Sequence, residues 1–452
     1  MNLDLADRLR KRFEDGNPVK IGVIGLGKFA TMFLSQARIT KGFQISAVAD
    51  LDYKRANDAL ITAGYDSNIR ADSLNKALQE SSIYITEDGM EIAGAEQLDV
   101  IVEATGNPEA GIDHSLAAFN VKSHVVLVTV EADVLCGASL IKRANEAGVV
   151  CSMAYGDQPS LICELVERIR SSGFEITCAG KGTQYLPIYH ESTPETVWKY
   201  YGISSQEAAA GGLNPKMFNS FLDGTKSAIE MAAVANATGL IVPQNGLKFP
   251  PVGTSNLAQI LKPEKEGGII TDEGTVEVVS SLKRNGETIS DDLRFGVYVV
   301  FKASTEYVSR CFSEYGVCTD EGGKYAALWR PVHLIGLELG FSVGKAVLDE
   351  QAVGSTKNFL GDVVSVAKKD LIPGEFLDGE GGRTVWGKLL PAESSISINA
   401  LPIGLAHKIK IIKEVKKGEI VSQNDVTTPT ETNALVLRKE MEENFNEEKN
   451  LD

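Results

Sequence analysis

A chain of 452 residues with a net charge of −16 has room for two or three domains and too little basic surface for sequence-independent binding to nucleic acid or an anionic membrane. Its 43% apolar and 23% charged content is ordinary for a globular protein. No apolar run approaches the ~20 residues of a membrane-spanning helix.

The opening segment, MNLDLADRLRKRFEDGN, is charged throughout and has no apolar signal core. None of the six cysteines forms a CxxC pair, so free thiols in a reducing cytoplasm are the expectation. Val19 to Ile24 reads as a short buried strand. It runs into Gly25-Leu26-Gly27-Lys28-Phe29-Ala30 and then a helical pattern. This is GxGxxA, a dinucleotide fingerprint. The first glycine permits a tight turn, the second lets backbone approach a pyrophosphate, and Ala30 keeps the helix close to the sheet. A second strand, FQISAVAD, ends at Asp50, 20 residues beyond Ala30. A carboxylate there holds ribose hydroxyls and favours NAD over NADP, whereas Lys54 and Arg55 pull the other way. Cofactor choice therefore stays open.

The alternation continues. LDVIVEATG reads as a strand opening onto Thr105-Gly106-Asn107-Pro108, where nicotinamide contact and simple turn chemistry are equally good accounts. HVVLVTVEADVL reads as a strand ending near Glu131 and Asp133. GVVCSMAYGDQPS reads as a strand entering a helix that Asp157 or Ser160 caps, with Pro159 in its first turn. Such alternation implies an α/β, doubly wound parallel sheet whose ligands lie beyond the strand carboxyl ends. Gly106, Asn107, Glu131, Tyr155, Asp157 and Gln158 belong near that mouth.

After residue 172 the pattern changes. FEITCAGKGTQYL reads as a strand with Lys181 between two glycines, either an anion contact or a hairpin. His190 reads as a loop residue. Asn219, Asp223, Lys226 and Glu230 then recur at intervals of four, three and four, within an arc of roughly 60° if one helix runs through them. The alternative is a helix capped by Ser227 and Glu230, with Asp223-Gly224 as a turn. A polar stripe between apolar flanks lines a wet cavity or pairs internally, since unpaired buried charge is costly. In the active-site reading the Lys226 ammonium stabilises charge growing on a carbonyl oxygen. Asp223 and Glu230 orient it or hold a divalent metal, Asn219 belongs to the same candidate site, Lys181 contacts an anion, and the stripe faces the reactive carbon of a nucleotide coenzyme. Residues 274–303 read as a hairpin around Asn285-Gly286, and a helix is expected from His333. The acidic tail reads as disordered.

The motifs IGLGKF, VEATGNPEAG, VEADVL, SMAYGDQP, AGKGT, MFNSFLDGTKSAIEMA and LPIGLAH together resemble the reductoisomerase-like (DRL-type, homoserine-dehydrogenase-like) oxidoreductases. Pro373-Gly374-Glu375 and Lys417-Gly418-Glu419-Ile420 resemble the turns of an SAF-like β-clip, and the DGEGG loop, Asp378 to Gly382, reads as solvated. The resemblance implies a Rossmann domain (1–171), an α+β catalytic and dimerisation domain (172–361), an SAF-like domain (362–427) and a tail (428–452). It also implies a homodimer that uses NADP or NAD, with Mg or Mn, on a small polar carbonyl or hydroxy substrate. One branch resembles 1-deoxy-D-xylulose 5-phosphate reductoisomerase in activity. Val130-Glu131-Ala132-Asp133 replaces the Asn-Lys of homoserine dehydrogenases. A dinucleotide-binding sensor without turnover is the alternative of another class.

Overall fold

The computed structural model describes residues 4–428 and 430–449. The Val-Lys-Ile-Gly-Val-Ile run forms β1 (Val19–Ile24), and its near-complete burial is what a strand covered on both faces requires. Six more strands follow: β2 (Phe43–Ala49), β3 (Arg70–Ala71), β4 (Ile83–Thr86), β5 (Val100–Glu103), β6 (His124–Leu127) and β7 (Cys151–Met153). They order as β3-β4-β2-β1-β5-β6-β7, with every pairing parallel. This is the α/β, doubly wound sheet expected from the alternation, and its order reverses beside β1, where such sheets bind ligands.

The chain folds as two compact units. Of the described residues, the first takes 4–161, 334–357 and 432–449; the second takes 162–333, 358–428 and 430–431. The chain thus returns twice to the first unit, through segments that the linear division at 171, 361 and 427 assigned elsewhere.

In the second unit a five-stranded sheet contains β8 (Glu175–Thr183), β9 (Thr275–Ser280), β10 (Val297–Lys302), β11 (Cys318–Thr319) and β12 (Tyr325–Arg330). Its order is β11-β12-β10-β8-β9. The expected hairpin is therefore not formed, because β8 lies between β9 and β10. The local turn is real: Gly286 has a φ of +88° and its N–H donates to Lys283. Its arms are only an isolated Leu282–Thr288 bridge. The segment 362–427 contributes a two-stranded pair, Gly361–Ala367 with Val385–Pro391, and a smaller pair, Phe376–Asp378 with His407–Lys410.

Three other expectations are corrected. No helix starts at His333; the next helix is Gly340–Asp349, and His333 is a half-buried residue with Nδ1 2.7 Å from the Phe295 carbonyl oxygen. β6 stops at Leu127, so Glu131 and Asp133 lie in the first turn of the helix Val130–Ala147. Residues 433–449 of the tail form a helix rather than disorder. Its acidic end conceals an apolar stripe of Ala434, Leu435, Leu437 and Met441, all buried.

The helix Val130–Ala147 kinks at Cys136, and buried Arg438 donates to the Leu135 carbonyl there at 3.3 Å, while its Nε holds Glu442 at 2.6 Å. Arg438→Ala is expected to lower the stability of the first unit by about 1.5–3 kcal/mol, the worth of charge-assisted bonds. Hydrogen exchange of the first-unit amides checks it.

Among the described residues no helix is long and apolar enough to cross a membrane. All six cysteines are free, and Cys136, Cys151, Cys163 and Cys178 are buried.

Candidate functional site

In the first unit β1 and β5 are neighbours, so the loops leaving them meet. Gly25 has a φ of +89°, and a β-carbon there would lie 2.6 Å from the Ala104 carbonyl. Both the backbone and the close approach demand glycine. Gly27 is the N-cap of the helix Lys28–Ala37; it offers no side-chain cap, and a β-carbon on it would meet nothing within 4 Å. The first N–H groups of that helix thus have no side-chain partner, and an anion can approach them. Lys28 is exposed, Phe29 half-buried, and Ala30 sits in the core.

Asp50 is buried at the end of β2. One of its oxygens accepts the N–H of Leu26, inside the glycine loop, at 2.8 Å. The other accepts Arg55 Nε at 2.9 Å and the Asp52 N–H at 3.0 Å. Asp50 therefore fastens the loop; the oxygen that holds Leu26 keeps lone-pair capacity for a hydroxyl, while the other is filled by Asp52 and both guanidinium donors of Arg55. The Arg55 side chain, 56% exposed, places a guanidinium fork at the same spot, a shape suited to phosphate.

The Thr105 hydroxyl donates to Glu103 at 2.6 Å, the Gly106 N–H donates to Thr129 at 3.0 Å, and Asn107 caps the helix Pro108–Asn120 through the Ala110 N–H at 3.1 Å. Glu103, overlooked in the sequence, is wholly buried behind this loop with His114 3.4 Å away. Glu131 is half-buried. The Tyr155 N–H donates to Ser342 at 2.6 Å, and its ring packs on Phe341 with centroids 4.7 Å apart. Asp157 accepts the Gln158 N–H at 2.9 Å as the next helix begins, with Pro159 in its first turn as expected.

A cavity bordered by Asp133, Ser152, Asp157 and Ser160 lies at this end of the sheet. Burial raises the Asp133 carboxyl to about 6, against the opposing pull of the Thr356 hydroxyl, which donates at 2.8 Å. The folded pKa lies above the unfolded one, so this group's stabilising contribution is complete below pH 4 and is lost as pH rises to about 6. The loss is of order 3 kcal/mol. Calorimetric unfolding of Asp133→Asn is expected to lack that part of the pH dependence.

In the second unit the polar stripe lies on two helices, Pro215–Leu222 and Thr225–Thr238, with the break at Asp223-Gly224, where Gly224 has a φ of +90°. Neither a single helix nor one starting after Ser227 is correct. The Asn219 amide donates to the carbonyls of Ser192 at 3.1 Å and Gly381 at 3.0 Å. Asp223 accepts the Thr225 N–H at 2.9 Å and Lys368 Nζ at 2.7 Å. Lys368 completes its three bonds at the Ser192 and Gly382 carbonyls, both 2.7 Å. The DGEGG loop is thus fastened to this cluster rather than solvated, and the Glu380 carboxylate also takes the Ser220 hydroxyl.

Lys181 and Glu230 form a buried ion pair. The glycines flanking Lys181 answer to packing, since a β-carbon at either would strike backbone, Glu277 at Gly180 and Leu293 at Gly182. Lys226 stands two residues beyond Gly224, half-exposed, and one helical turn before Glu230. The structure therefore divides the stripe: Asp223 pairs internally with Lys368 and the Asn219 amide nitrogen donates to nearby carbonyls, leaving its buried oxygen without a hydrogen-bond partner, while Lys226 stands at the helix start ahead of the Lys181–Glu230 pair. Among the described residues no group of three or more His, Cys, Asp or Glu side chains is placed to hold a metal ion, so no step is assigned to one.

Fold and geometry define a doubly wound dinucleotide-fold module joined to a second α/β unit with a buried ion-pair cluster. Residues 156–339, which contain the whole of the second unit's first segment, match the family model described as oxidoreductase DRL, catalytic domain. No curated protein matches the chain. Among solved structures, a myo-inositol dehydrogenase from Lactobacillus casei in complex with NAD(H) and myo-inositol is 14% identical, with 40% of this chain and 50% of that one covered and a TM-score of 0.30. A homoserine dehydrogenase from Thiobacillus denitrificans is 19% identical, with 49% of each chain covered and a TM-score of 0.34. A DOX-P reductoisomerase in complex with NADPH, fosmidomycin and magnesium is 16% identical, with 49% of this chain and 59% of that one covered and a TM-score of 0.34. The chain thus spans only about half the length of these structures.

Proposed function

We propose that the protein is an NAD(P)-dependent oxidoreductase acting on a small polar carbonyl or hydroxy compound. The observation that carries the reading is the glycine loop: Gly25 pressed on Ala104, Gly27 open ahead of an uncapped helix, and Leu26 fastened by Asp50. These residues fit a dinucleotide, with the pyrophosphate on the helix N-terminus and the ribose at Asp50 and Arg55. The match of residues 156–339 to an oxidoreductase catalytic domain supports the same class.

Bound nicotinamide supplies or accepts a hydride. In the direction of reduction, the carbonyl carbon gains that hydride and its oxygen gains a proton, which we assign to the Lys226 ammonium; solvent restores it. The Lys181–Glu230 pair, one turn behind, fixes the field in which Lys226 works, because buried charges interact strongly at low local dielectric. Asn219 and Asp223 hold the helix break that sets the direction of Lys226. Thr105, Gly106, Asn107, Glu131 and Tyr155 are assigned to the nicotinamide end.

Within this class the substrate is proposed as a phosphorylated keto compound handled in the manner of a 1-deoxy-D-xylulose 5-phosphate reductoisomerase, by a cytoplasmic homodimer. Homoserine-dehydrogenase-like activity is the alternative enzyme. A sensor without turnover draws support from the internal engagement of Asn219 and Asp223. The test is oxidation of NADPH and NADH by purified protein with a panel of keto-sugar phosphates and aspartate semialdehyde. The oxidoreductase reading expects turnover with one of them; tight nucleotide binding without turnover would favour the sensor.

A further inference from the structure

Phe249 is a bulky residue with a φ of +50°, in the left-handed region that side chains disfavour. Two side chains clamp it there. The buried Glu277 carboxylate accepts the N–H groups of Lys248 at 3.0 Å and Phe249 at 3.3 Å. On the carbonyl side, Arg284 donates to the oxygens of both residues at 2.9 Å.

The clamped ring stacks on Tyr185 with centroids 4.0 Å apart, and the Arg284 guanidinium stands 5.3 Å from the Tyr185 ring centroid. The Tyr185 hydroxyl is 2.9 Å from His190 Nε2, and His190 Nδ1 is 2.7 Å from the Asp223 carbonyl oxygen. A carbonyl only accepts, so Nδ1 carries the proton and Nε2 accepts from Tyr185. The ring stacks on Trp386 at 3.8 Å and presses on Gly224, the N-cap of the Lys226 helix, where a β-carbon would come within 3.3 Å. Burial holds the His190 pKa below its ordinary value; Asp223 opposes this, and Lys368 and Lys388 add to it. Glu277 itself faces Lys248, Tyr185, Tyr298 and Cys178.

We propose that Glu277 and Arg284 are positioning residues: by holding the Phe249 backbone they keep Tyr185 and His190 in one hydrogen-bonded state against Gly224, where the helix that carries Lys226 begins. Strained backbone that is over-determined by its surroundings is the pattern of a functional device. The inference rests on the reading that substrate reacts at the Lys226 end of the helix.

Long-range proton–nitrogen spectra of the histidine rings test the clamp on the full chain, with the His190 signals assigned by His190→Gln. Wild type at pH 8 is expected to show one protonated and one bare nitrogen. In Glu277→Ala and Arg284→Ala, His190 is expected to mix tautomers and to titrate at least half a pH unit higher. Glu277→Gln, which keeps an acceptor, restores most of the wild-type pattern. Should the alanine variants fail to fold, Phe249→Gly removes the ring while tolerating the left-handed backbone, and the same release of His190 is expected. An unchanged His190 pattern in folded Phe249→Gly protein would overturn the proposal. Turnover is read separately: full activity in Lys226→Ala overturns the assignment of the reaction to this helix, whatever the clamp does to His190.

Discussion

Lys368→Ala is expected to lower the stability of the second unit by about 3–5 kcal/mol, the cost of leaving one partner of a buried ion pair uncompensated. The Lys368 and Asp223 side chains are 2% and 0% exposed, so water cannot replace the missing ammonium. Two further acceptors, the carbonyls of Ser192 and Gly382, each lose a donor at the same time and keep only the Asn219 amide. Replacing both partners removes the buried charge altogether, and Lys368→Met combined with Asp223→Leu is expected to recover most of the loss. Urea unfolding followed by tryptophan fluorescence reads this unit selectively, because Trp198, Trp329 and Trp386 all belong to it. A loss below about 1 kcal/mol in Lys368→Ala would mean that the cluster admits water and that Asp223 is not locked.

Lys226→Ala is expected to reduce kcat about 10²–10³-fold, the usual consequence of removing one group that stabilises a developing oxyanion. Nucleotide affinity should not change, because the cofactor cradle belongs to the first unit. Steady-state kinetics with the substrate found by the turnover panel, together with calorimetric titration of the nucleotide, separate the two effects. Lys226→Arg keeps the charge but moves it on a bulkier, always-protonated fork. It should recover substrate binding more than proton delivery, and so affect kcat more than KM.

The first unit was legible because its signals are local. Strand, GxGxxA, helix and a carboxylate at Asp50 lie within about 30 residues, and each follows from backbone geometry that only certain side chains permit. The parallel order could be expected from alternation alone. The hairpin at 274–303 could not be excluded from sequence, because its true partner, β8, lies about a hundred residues upstream, and periodicity says nothing about which strand enters between two others.

The stripe from Asn219 to Glu230 was visible as a pattern, yet its division was not. Whether Asp223 meets a ligand or a lysine depends on Lys368, a distant residue in the sequence Val-Ala-Lys-Lys-Asp, where nothing marks one lysine as buried and its neighbour as exposed. Glu277 offered a better clue: a lone carboxylate in Thr-Val-Glu-Val-Val-Ser sits in an otherwise apolar strand, and such a charge must be paired or neutral. The tail helix was hidden by its acidic end, since overall charge was weighed rather than the spacing of Leu435, Leu437 and Met441.

The measurement that most directly tests the central claim is calorimetric titration of NADPH and NADH into wild type and Gly27→Asp. A β-carbon at Gly27 meets nothing, so the substitution should fold, and its carboxylate should cap the helix Lys28–Ala37 and stabilise it by roughly a few tenths of a kcal/mol. The same carboxylate would occupy the anion position and repel a pyrophosphate. Saturable binding of at least one nucleotide by wild type, lost in a Gly27→Asp variant that is at least as stable, is the predicted result. Equal binding by both proteins, or none by wild type, would contradict the account.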